Sequence, residues 1–68
     1  MNHISVSSSN VKSIGYENGT LEVAFLNGRI HQYHGVSESL YKTLLSGVSV
    51  GKYLAAHVYG KYSENRIK

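Results

Sequence analysis

Fourteen residues towards the C-terminus, Ser49 to Tyr62, gather most of the side chains that could do chemistry: Ser49, Gly51, Lys52, Tyr53, His57, Lys61 and Tyr62. Ser49-Val50-Gly51-Lys52 reads as a helix start. There the first-turn amides lack intrahelical partners, the helix dipole is positive, and a glycine lets an anion come close. Lys52 would add a full charge. The rival reading is a plain serine cap followed by a helix, and the run is no P-loop, because the leading glycine and the Ser/Thr after the lysine are missing. His57 stands one turn beyond Tyr53 and one turn before Lys61, a spacing that gives one stripe with a stacking ring, a hydrogen-bonding ring and a charge. A core histidine bonded to a backbone carbonyl explains His57 as well.

Other chemistries find less material. His31 and His34 point to opposite faces if they lie on a strand, and there is no cysteine or nearby aspartate to complete a metal site, so no metal or other cofactor is expected. Nucleophilic catalysis needs an oriented base beside the nucleophile. The chain has no aspartate, and Glu17, Glu22, Glu38 and Glu64 fall in a turn, a strand, a helix start and the tail, so a non-enzyme is expected. Six tyrosines in 68 residues supply large rings for a small core; those left half exposed beside Lys61 or Arg29 could stack on bases.

These side chains need elements to hold them. Val11–Tyr16 has strand character and ends at Glu17-Asn18-Gly19, a turn signal. Thr20–Phe25 alternates apolar and polar residues, and Asn27-Gly28 separates it from Arg29–His34, so two hairpins make a three-stranded antiparallel meander. A two-residue Asn27-Gly28 loop would put Gln32 and His34 on the apolar face of Leu21, Val23 and Phe25. A three-residue loop with Gly28 in the left-handed conformation puts Arg29, His31 and Tyr33 there instead, and is the favoured register. From Ser37, an N-cap candidate, the period becomes helical to about Ser46, with Leu40, Tyr41, Leu44, Leu45 and Val48 as the stripe and Gly47 as C-cap. A second helix follows from Ser49 to about Tyr59, with Tyr53, Leu54, His57 and Val58 facing the sheet and Gly60 ending it. The expected fold is therefore α+β, β-β-β-α-α, one domain over 1–68 with a core of about 6–62, a short extended piece after Lys61 and fraying ends.

A chain this short buries only about 60% of its unfolded surface, and without cysteine it has no disulfide to help, so a homo-oligomer is expected. The net charge of +3 favours anionic partners weakly. Its cations, Lys12, Arg29, Lys42, Lys52, Lys61, Arg66 and Lys68, are scattered, whereas duplex binders concentrate about six to ten phosphate contacts. No apolar run approaches the ~18 residues of a membrane span, and the N-terminus lacks the form of a secretion signal, so a cytoplasmic protein without membrane contact is expected.

Taken in order, Ser8-Ser9-Asn10, Ile14-Gly15-Tyr16, Leu21-x-Val23-x-Phe25, the rings around Tyr33, Ser49-x-Gly51-Lys52-Tyr53, His57 and Gly60-Lys61-Tyr62 resemble the KTSC domain. This is a module of about sixty residues found at the C-terminus of some lysyl-tRNA synthetases and as free-standing bacterial or phage proteins. The resemblance covers about Val6 to Tyr62. The chain departs from the family pattern in having His31-Gln32-Tyr33 for Tyr-x-Tyr, Ser37 for a proline, and Val50 and Leu54 where a lysine and a phenylalanine stand. RNA binding is what the synthetase context implies.

Two binding functions and one structural function follow as expectations. The first is a pocket for a phosphate-bearing nucleotide built from Arg29, His31, Tyr33, Ser49, Gly51, Lys52, Tyr53, His57, Lys61 and Tyr62, acting by stoichiometric capture. For a phage-encoded chain this would mean sequestering a nucleotide signal in the host cytoplasm. The second is RNA binding on the exposed face of the meander. The third is an oligomeric protein-interaction module.

Overall fold

Alternation of apolar and polar residues builds the centre of the molecule, and a computed structural model describes the whole chain, residues 1–68. Strands β1 (His3–Ser5), β2 (Val11–Glu17), β3 (Thr20–Phe25) and β4 (Ile30–His34) are followed by helices α1 (Glu38–Leu44) and α2 (Val50–His57) and strand β5 (Ser63–Arg66). All neighbouring pairs are antiparallel, in the order β1-β2-β3-β4-β5. The sheet thus has five strands where three were expected. The predicted meander forms its centre, and short strands join at both edges, so the sheet extends past the 6–62 core in both directions.

Register follows the three-residue loop. Phe25 N–H donates to the Arg29 carbonyl (2.8 Å), Ala24 faces Ile30 and Leu21 faces Tyr33. Leu26-Asn27-Gly28 is then the loop, and Gly28 takes φ 90°, which a residue with a Cβ rarely adopts. Arg29, His31 and Tyr33 consequently share the face of Leu21, Val23 and Phe25, as the favoured register required. Val11, Ile14 and Tyr16 join that face from β2, with a bulge between Val11 and Ser13 absorbing one extra residue.

The helices cover this face. Leu44 from α1, Val50, Leu54 and Val58 along α2, and Val36 ahead of α1 are buried with Val11, Ile14, Leu21, Val23 and Tyr33 in one core. Ten buried apolar side chains at about 1.5–3 kcal/mol each supply the main force holding so short a chain together. Leu45 and Val48, expected on the buried stripe of α1, are instead 40% and 36% exposed. The physical reason is that α1 ends at Leu44, so the turn that follows carries both residues off the stripe.

Candidate functional site

At the start of α2, Ser49 is the N-cap residue by backbone position, but its side chain caps no amide. The approach to this helix end is filled from within the chain. An ideal Cβ at Gly51 would lie 2.9 Å from Asn10 Oδ1 and 3.2 Å from Ser8 Oγ, so Gly51 is what lets the Ser8–Asn10 loop press against the helix. The loop is held by Ser8, whose Oγ accepts from the Val11 and Asn10 N–H groups and donates to Asn10 Oδ1 (3.2 Å). Close approach at Gly51, expected to admit a ligand, is used for internal packing. Lys52 is exposed and, two residues from the buried Leu54, sits about 200° around the helix from it, facing solvent.

Farther along α2, Tyr53 and His57 do come together, with ring centroids 4.4 Å apart. Tyr53 packs on the core, whereas His57 is exposed. Lys61 is exposed and Tyr62 half-buried against the core.

The β4 residues form a separate group. Tyr33 is buried, with the Tyr59 ring 5.9 Å and the His31 ring 6.5 Å away. His31 Nδ1–H donates to Glu64 of β5 at 2.5 Å, while its Nε2 and the Tyr59 hydroxyl are buried without a partner. Burial, and then the nearby Glu64 carboxylate, push the Tyr33 hydroxyl well above the usual tyrosine range and raise that of Tyr59. Both rings are therefore neutral packing groups. Arg29 stands exposed at the hairpin end of the same strand.

None of these ten residues lines either of the two cavities in the molecule. One cavity is a cleft of about 280 Å³ between the Ser8–Asn10 loop and the β3–β4 hairpin, lined by Ser9, Asn10, Phe25, Leu26 and Asn27. The Leu26 N–H donates to the Asn10 carbonyl (2.9 Å), which fixes one wall to the other. Asn27 Oδ1 accepts from the Arg29 N–H (3.0 Å), as Asn10 Oδ1 accepts from Ser8. Both carboxamides spend their oxygens internally and keep their N–H₂ groups unbonded. No acidic side chain lines the cleft; Phe25 gives it an aromatic wall, and Arg29 stands two residues from Asn27. Sequence reasoning read these positions only as a polar stretch and a turn. The sole signal was that asparagine recurs at both, where a carboxamide both shapes a turn and offers donors.

On the open face of the sheet, Ser13, His3, Glu22 and Gln32 form a chain of hydrogen bonds. His3 Nδ1 and Ser13 Oγ share a hydrogen bond (2.7 Å), the opposite His3 nitrogen donates to Glu22, and Gln32 Nε2 donates to Glu22 Oε1 (2.8 Å). Thr20, His34 and Asn65 form a second cluster on this face. All six tyrosines lie in the core or packed against it, so this face carries no tyrosine. No helix is long and apolar enough to cross a membrane.

A five-stranded antiparallel sheet with two helices on one face, closed by Gly51 against a Ser-Ser-Asn loop, defines a small α+β domain. The family model of the KTSC domain matches residues 7–62, and the chain belongs to that family. A crystal structure of a KTSC domain protein from Yersinia pestis is similar throughout, at 36% identity and a TM-score of 0.90 over 98% of this chain and 97% of that one. No curated protein is similar enough to match.

Proposed function

We propose that this KTSC domain is a non-catalytic binding module that captures a phosphate-bearing nucleotide in the cleft between the Ser8–Asn10 loop and the β3–β4 hairpin. The observation that carries this reading is the orientation of the two carboxamides. With Oδ1 of Asn10 and Asn27 both engaged internally, the cleft presents N–H donors to phosphate oxygens or to the acceptors of a base. Phe25 gives an apolar wall for a ring or a sugar, and Arg29 adds positive charge at the rim. At about 280 Å³ the cleft sits at the small end of ligand pockets, which run ~300–1,000 Å³, and so suits a mononucleotide-sized group. Stoichiometric capture, as in sequestering a nucleotide signal, is the action such a cleft supports. RNA binding has less support, since the open face lacks tyrosines and carries the Glu22 network, while all seven Lys/Arg are exposed but dispersed.

Isothermal calorimetry and thermal shift with mononucleotides, cyclic nucleotides, ADP-ribose derivatives and a short single-stranded RNA test the reading. The expected result is a fixed ratio per chain, weak salt dependence, and loss of binding in Asn10→Asp and Asn27→Asp at unchanged Tm. Each of these isosteric changes replaces two donors with a negative oxygen. Stabilisation by the RNA alone, with affinity falling steeply as salt rises, would sink it.

A further inference from the structure

The second cavity, a groove of about 300 Å³, is lined mainly by Ile4, Val6, Leu44, Leu45, Val48 and Val50, and it runs beside the outer edge of β1. Ile4, Leu45 and Val48 are 46%, 40% and 36% exposed, an apolar cluster beside a free strand edge. Such edges are normally guarded by charge, proline or a bulge, because their unpaired N–H and C=O groups template further pairing. From Met1 to Val11 there is no proline and no Lys, Arg, Asp or Glu, whereas β5 at the opposite edge carries Glu64 and Arg66. The polar groups that face outwards are known. Val6 N–H donates inwards to the Lys12 carbonyl (3.2 Å), so by alternation Ile4 also bonds β2, and the peptide groups of His3 and Ser5 point away from the sheet.

We propose that β1 pairs antiparallel with β1 of a second copy, about a two-fold axis through Ile4, joining two five-stranded sheets into one. In this register His3 of one copy meets Ser5 of the other, and the outward N–H and C=O groups of both are satisfied on each side of the axis. The axis is perpendicular to the sheet, which places the helices of both copies on the same side. Ile4, Leu45 and Val48 of each copy then face their counterparts, and the two grooves close on each other. A second copy is the occupant because the edge is self-complementary and carries no charged side chain on the groove side: the Met1 amino group and His3 both lie near Glu22 on the opposite face, and the next cation is Lys12. A standard interface takes about 800 Å² per partner, a large share of a 4149 Å² surface; edge pairing together with the groove offers both the polar and the apolar parts. The groove shares no lining residue with the nucleotide cleft, so the two proposals stand or fall separately.

Sedimentation equilibrium over a concentration series tests the pairing, with far-UV circular dichroism as the check on folding. The wild type is expected at twice the 7.5 kDa chain mass. Ser5→Pro removes an outward N–H that the fold does not use, and Leu45→Lys/Val48→Lys sets like charges across the axis; each is expected to weaken the dimer at least about tenfold with the spectrum unchanged. If Ser5→Pro unfolds, the lysine pair decides. A wild type at single-chain mass throughout, or a dimer that the folded variants leave intact, overturns the proposal.

Discussion

A methyl group added at Gly51 would meet Asn10 Oδ1 at 2.9 Å and Ser8 Oγ at 3.2 Å, and both oxygens belong to a loop with little room to move. Asn10 is tied at its side chain to Ser8 and at its carbonyl to Leu26. Gly51→Ala is therefore expected to cost about 1 kcal/mol, as overpacking displaces the loop. In a Ser8→Ala/Asn10→Ala background both contacts are gone, and the same change should stabilise by about 0.5–1 kcal/mol through helix propensity. Urea denaturation of the four proteins in this cycle measures the coupling; additive effects would show that the loop and helix are not in contact. The importance of Gly51 was legible in the sequence, but what approaches it was not. A glycine at a helix start announces a close approach, and only the chain path reveals that the Ser8–Asn10 loop makes it. Asn10 and Asn27 were hidden for the same reason, because their free donors depend on what their oxygens bond across the fold.

Elements with their own periodicity were readable and those without it were not. Val11–Glu17, Thr20–Phe25 and Ile30–His34 alternate around two Asn-Gly turns and emerge close to their expected bounds. Strand β5, Ser-Glu-Asn-Arg, is exposed at every position and exists only because β4 offers it a ladder, so no hydrophobic pattern marks it. Strand β1 is three residues long, too short for a period to register. The helix caps show how far local signals reach. Ser37 and Ser49 look alike in sequence, yet only Ser37 accepts from an amide, that of Leu40 at 3.2 Å. Ser37→Ala is expected to cost about 1 kcal/mol, and Ser49→Ala close to nothing. Thermal unfolding of both variants checks this, and equal losses would mean that Ser49 caps its helix in solution.

Across the whole molecule the two faces of the sheet are stabilised by different forces, and pH separates them. The helix-covered face is held mainly by its apolar core, with the His31–Glu64 pair at its β5 side. The open face depends on Glu22, whose carboxylate stands at the centre of the chain from Ser13 to Gln32 and anchors His3 of β1 to β3. Burial alone would raise the pKa of Glu22. Hydrogen bonds from Gln32 and His3, with the positive charge of His3 and of the Met1 amino group, outweigh it and hold the carboxyl below its ordinary 4.5. A group with a depressed folded pKa contributes stability that is complete above its unfolded value and is lost as pH falls through the folded one. The contribution of Glu22 should thus be present at neutral pH and disappear below 4.5. Glu22→Gln keeps the size and most of the hydrogen bonding but removes the charge. Its Tm is expected to lie below that of the wild type at neutral pH, with the gap closing in acid as the wild type loses the same charge by protonation. Calorimetric scans from about pH 3 to pH 7 read this directly, and curves that stay parallel over the range would remove Glu22 as the acid-sensitive link between the edge strand and the sheet.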